Sequence, residues 1–139
     1  MADQLPNNEV QEAFHTALDG NVSFNVHDAR DDDAAFPYMY YGQKQLEAER
    51  NKQLFVSWVI RLELHVHSAY NGSKELNDMI NEALTELDNA VMPGDWAFLD
   101  EPTDHVKVVD FVEFQEEDMD ENLFRHGVVT VQVRVQPTS

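Results

Sequence analysis

The chain has 139 residues and no cysteine, which excludes disulfides, thiolate catalysis and cysteine-ligated metal sites. Nine Lys and Arg against 27 Asp and Glu leave a formal charge of −18, which argues against a surface that grips nucleic-acid phosphates or anionic lipid. Apolar residues make up 42%, so a single domain over residues 1–139 with a real core is expected, and no apolar stretch approaches the roughly 18–20 residues that cross a bilayer.

Val10, Ala13, Phe14, Ala17 and Leu18 fall at helical spacing and predict a helix over 7–18. Asn7 or Asn8 can cap it, and Asp19-Gly20 stops it. Val22 to Val26 reads as a short strand, and the acidic run Asp28, Asp31, Asp32, Asp33 as an exposed loop. Phe36 to Gln45 reads as a strand, with Phe36, Tyr38 and Tyr40 on one face and Met39 and Tyr41 on the other. Pro37 suits its first position or an edge. Residues 46–55 are polar and read as a loop or an extended hairpin tip. The clearest strand is 56–67, where Trp58, Ile60, Leu62, Leu64 and Val66 oppose Ser57, Arg61, Glu63, His65 and His67. Asn71-Gly72 is a turn, and Ser73 caps an amphipathic helix. Its stripe is Leu76, Met79, Ile80, Ala83, Leu84, Leu87 and Val91, and Pro93-Gly94 ends it. A short strand follows at 96–99. The segment 105–115 carries valine and phenylalanine on both faces, which suits a strand in mid-sheet or at a subunit contact. After an acidic loop at 116–122, residues 124–135 alternate strictly, with Val129, Val131, Val133 and Val135 inward. The order of elements predicts an α+β domain, a largely antiparallel sheet with two helices packed on one face.

Few constellations suggest chemistry. His65 and His67 sit at i, i+2 on one strand face, where a metal pair is conceivable with His105 or His126 as a third ligand. Two solvated histidines are the plainer alternative. Asp118, Asp120 and Asn122 begin like a calcium loop, but Leu123 stands where a sharp turn needs Gly, and Val129 where a bidentate Glu is needed. Asp110 and Glu113, inside the valine-rich strand, are the acids best placed for the apolar burial that general acid–base work requires. No nucleophile elbow, phosphate loop or dinucleotide fingerprint occurs, so neither catalytic residues nor a cofactor are expected. The surplus of acids reads either as a solubilising surface or as an adaptation to high salt, where a Debye length of about 3 Å at 1 M screens self-repulsion.

Four segments in order are more informative than any one of them. They are Phe36-Pro37-Tyr38-Met39-Tyr40, Leu64-His65-Val66-His67-Ser68, the helix end at 83–88, and Arg125-His126-Gly127-Val128-Val129. Over residues 7–136 this series resembles the tail completion or tail terminator proteins of long-tailed phages. In that family a Tyr/Phe-Pro-Tyr strand start and a His-Gly opening of the final strand recur, here Phe36, Pro37, Tyr38, His126 and Gly127. Two departures stand out: His67 replaces the usual aromatic, and Glu121-Asn122 replaces the common Asp-Gly.

The resemblance implies a structural virion protein of a siphovirus-like particle, not an enzyme. Six copies commonly form a ring on the last ring of the tail tube, stop its growth, and face a head-completion or connector protein. The location implied is the head-proximal end of the tail, after assembly in the host cytoplasm. DNA passes through such a ring without specific binding. On this reading Gln45, Glu47, Glu49, Arg50, Val108, Asp110 and Val112 are expected at ring, tube or connector contacts. Glu116, Glu117, Asp118, Asp120 and Glu121 are expected to face the lumen. Two alternatives stay open: a small metal-dependent enzyme using His65 and His67, and an acidic inhibitor that mimics DNA.

Overall fold

The computed structural model describes residues 5–27, 36–50, 56–69, 73–99, 105–117 and 123–138. Two helices, α1 (Asn7–Leu18) and α2 (Ser73–Leu87), accompany six strands: β1 (Asn25–His27), β2 (Tyr38–Arg50), β3 (Val56–Ser68), β4 (Trp96–Phe98), β5 (Lys107–Glu117) and β6 (Leu123–Pro137). The expectations placed on Asp28, Asp31 to Asp33, Asn71-Gly72, Asp118, Asp120, Glu121 and Asn122 fall outside the described residues.

The strands form one sheet in the order β1-β2-β3-β6-β4, with β5 also paired to β6. Only β1 and β2 run parallel; every other pairing is antiparallel. The class is therefore α+β, as the element order predicts. On one side of β6 lies β3. On its other side β5 pairs with residues 123–132 and β4 with 135–137, so the two lie end to end.

The core follows from alternation. Ile60, Leu62, Leu64 and Val66 of β3 and Val129, Val131, Val133 and Val135 of β6 are buried on one face. α2 lies against β3 and β6, and α1 lies against α2. Val10, Phe14 and Leu18 of α1 and Leu76, Met79, Ile80 and Leu87 of α2 join the same cluster, with Met39 and Tyr41 of β2. Full burial of each large side chain contributes about 1.5–3 kcal/mol.

Local chemistry moves several boundaries. α1 spans the expected residues but has a different cap: Pro6 holds the N-cap position without a side-chain hydrogen bond, and its carbonyl accepts from Val10 N–H at 3.0 Å. Asn7 is thus the first helical residue, not a cap. The helix does stop at Asp19-Gly20, where Gly20 takes φ of 77°. The short strand expected at 22–26 forms at 25–27, beside the start of β2.

α2 ends at Leu87, sooner than Pro93-Gly94 suggests. Asn89 and Ala90 N–H bond back three residues to Glu86 and Leu87, a tightening that closes the last turn. Val91 therefore leaves the apolar stripe and is 79% exposed.

Residues 46–50 are strand rather than loop. Their pairing with β3 continues to Arg50 opposite Val56, and Leu46 packs against the core. One expected outcome follows from the core: Leu64→Ala, at a position with no exposure, lowers unfolding free energy by about 2–5 kcal/mol in urea titration.

Candidate functional site

β5 contradicts half of its expectation. It is not a mid-sheet strand: among the described residues it pairs with β6 alone and forms an edge. Its faces can be read from the register. Val108 and Phe111 lie opposite Val131 and Val129, on the side that α2 covers. Val112, Phe114 and Glu116 lie opposite Val128, His126 and Phe124, on the other side.

The register shifts between Val108 and Asp110, and Asp110 Oδ1 accepts the Phe111 N–H at 2.8 Å. Asp110 is exposed, so it is not the buried acid that its apolar neighbours suggest. Glu113 is half-buried, and its Oε1 is enclosed with no hydrogen-bond partner among the described residues.

Val108 and Val112 are 50% and 51% exposed, and Val109, Phe111 and Phe114 are exposed as well. Five large apolar side chains thus meet solvent on both faces of one edge strand. On the α2 side they border a shallow groove of about 350 Å³, lined by Asn77, Ile80, Leu84, Val108, Phe111 and Val129. An edge of this kind is a template for another chain unless something covers it.

The sheet face away from α2 carries a second construction. Tyr38 stacks on His67 with ring centroids 4.5 Å apart, Tyr40 on His65 at 4.7 Å, and His67 on His126 at 4.0 Å. Phe36 meets Phe124 at 5.2 Å. His67 is 3% exposed and the His65 side chain 18%, so His65 and His67 are not the solvated pair expected of a wet face; His126, at 7%, is buried beside them. The aromatic residues cover them.

His65 does not join His67 as a ligand pair; its Nδ1 lies 2.9 Å from His126 Nε2. Its Nε2 lies 3.1 Å from Glu63 Oε1, and His126 Nδ1 lies 2.6 Å from Glu116 Oε1. His105 is elsewhere, stacked on Phe98 and bonded to the Leu87 carbonyl. No group of three or more His, Asp or Glu among the described residues is arranged to hold a metal.

β2 makes room for this face with a register shift between Tyr41 and Lys44. A Cβ at Gly42 would overlap the His65 ring and lie 2.9 Å from Glu63 Oε1. Gly127 serves the opposite face, where a Cβ would press on Leu76, Phe111 and Ile80 at 3.1 to 3.4 Å. The segments Phe36-Pro37-Tyr38 and His126-Gly127, 88 residues apart in sequence at their nearer ends (126 − 38), are thereby brought into one cluster.

The remaining expected contact residues scatter. Gln45, Glu47 and Glu49 are exposed along β2, and Arg50 is its last residue. Glu49 pairs with Arg134 at 3.1 Å. Glu116 and Glu117 belong to β5 rather than to a loop, and Glu116 is engaged by His126.

Among the described residues the sheet thus ends, beside β6, on an edge strand with exposed apolar side chains. Residues 9–136 match the family described as Tail completion protein gp17. The chain belongs to that family. Tail completion proteins are structural components of phage tails. A solved chain from the "Virion of native gene transfer agent (GTA) particle" shares the fold, with a TM-score of 0.60, 13% identity, and coverage of 96% of this chain and 99% of that one. No curated protein matches.

One substitution tests the packing of the histidine face in this tail completion protein. Gly42→Ala forces His65 or the bulge to move and is expected to cost about 1–3 kcal/mol in denaturant titration.

Proposed function

We propose that this tail completion protein acts as a ring of identical copies that ends the tail tube and presents a surface to the head connector. The observation that carries the reading is β5, an edge strand with exposed valine and phenylalanine on both faces. A head-to-tail contact that closes on itself makes a ring without leaving such an edge open. On this reading β5, with Val108, Asp110 and Val112, lies at the lateral contact between copies, and both helices sit on the same face of the sheet.

Gln45, Glu47, Glu49 and Arg50, on the extended β2–β3 hairpin, then reach the tube or the connector. Glu117 and the acids that follow it line the lumen, where they repel DNA phosphates and let the strand pass without sticking. Six copies fit the family habit. The particle is a siphovirus-like virion, completed in the host cytoplasm, with the ring at the head-proximal end of the tail. The apolar edge favours assembly over the DNA-mimic alternative, which would work through its carboxylates alone.

Charge sets a condition on this assembly. Each copy brings a formal charge of −18, and a ring concentrates several of them. Salt near 1 M shrinks the Debye length to about 3 Å and removes most of that repulsion. A saline host suits such a ring.

Light scattering of the purified chain is expected to give a mass near six times 16.0 kDa, more completely formed in about 1 M than about 0.1 M salt. Val112→Asp, at a half-exposed position, is expected to leave a folded single chain that no longer assembles. A wild-type protein that stays monomeric at every concentration and salt contradicts the proposal.

A further inference from the structure

The contacts Glu63–His65–His126–Glu116 form one chain of three links across β3, β6 and β5: 3.1, 2.9 and 2.6 Å. Each link joins two atoms that are acceptors unless one carries a proton. Two carboxylates and two neutral imidazoles bring only two protons to three links. One link would then set lone pair against lone pair at hydrogen-bond distance. The geometry points to a binding site for one additional proton, shared along Glu63–His65–His126–Glu116 and tying β5 to the sheet.

The surroundings support a site of fixed geometry. Glu63 Oε1 also accepts from the Gln43 N–H at 3.2 Å, which orients it toward His65. Tyr40 stacks on His65, and His67 and Phe114 pack on His126, so neither ring turns freely. Among the described residues the titratable groups against the chain are Tyr40 from β2 and His67 from β3, with Tyr38 stacked on His67, besides the two terminal carboxylates themselves. Arg61, two residues from Glu63, is directed to Gln132 at 3.0 Å. Further along the same face of β5, Asp110 bonds to the backbone of Phe111. With the third proton the four side chains sum to −1; without it they sum to −2.

The unfolded chain separates these four side chains and has no such site, so the third proton binds the folded form alone and its contribution to stability declines as pH rises.

Glu116→Gln removes the need for the third proton. A carboxamide can donate to His126 Nδ1, so three links are satisfied by two neutral histidines and the extra proton is no longer needed. Thermal unfolding of the full chain is followed from about pH 5 to about pH 9, a span that brackets the ordinary imidazole range. The wild type is expected to lose several degrees of Tm on the alkaline side, and Glu116→Gln to lack that decline. Differences between the two proteins are read, because the other histidines titrate in both.

Imidazole ¹⁵N spectroscopy of the folded chain near about pH 8.5, where separate imidazoles are neutral, provides a count that needs no variant: three protons over the four ring nitrogens of His65 and His126. A count of two, or an equal alkaline decline in both proteins, overturns the proposal. Neither readout depends on ring formation.

Discussion

Everything in this molecule is positioned by the pairing of β6 with β3. Eleven consecutive residue pairs, from Trp58 with Val135 to Ser68 with Arg125, fix which way each side chain points. A slip of β6 by one residue against β3 would turn Val129 and Val131 away from α2 and bring His126 beneath it. The hydrophobic alternation of both strands makes that slip costly. The same register sets His65 beside His126 and leaves β5 along the far side of β6.

Two faces of the sheet are closed by different physics. Toward α2, aliphatic burial excludes water in the ordinary way. On the other side, Phe36, Tyr38, Tyr40 and Phe124 cover histidines whose ring nitrogens still require partners. Glu63 and Glu116 supply two of those partners from within the chain. Glu116 thereby links the proposed contact strand to the centre of the sheet, so that β5 is seated from inside as well as offered outward. Among the described residues β5 leaves an edge of the sheet that carries exposed apolar side chains. A structural component of a phage tail is a natural place for such an edge.

Much of this was legible in the residues. Both helices, the strand 56–67 and the final alternating strand follow from periodicity, because each has one apolar and one more polar side in sequence. The strand 46–50 was obscured by its charge: Glu47, Glu49 and Arg50 suit an exposed hairpin as well as a loop, and only pairing with β3 distinguishes them. Val91 extends the helical stripe in sequence, yet the chain tightens after Leu87 and carries it outside. The apolar character of 105–115 was plain, but periodicity cannot tell a buried strand from one waiting for a partner. The His65–His126 contact had one signal, a polar histidine in each of two strands expected in the same sheet. Without the register no pattern could bring them together, and Glu116 was hidden in an acidic run where any of several acids would have served.

Amide hydrogen exchange along β5, compared between assembled and dispersed wild-type protein, bears most directly on the claim that a neighbouring copy completes this edge. The account predicts marked slowing across Val108 to Phe114 in the assembled form, since amides on the open side acquire partners or lose water. Exchange at those residues that is the same in both forms, with slowing confined to other elements, would contradict it.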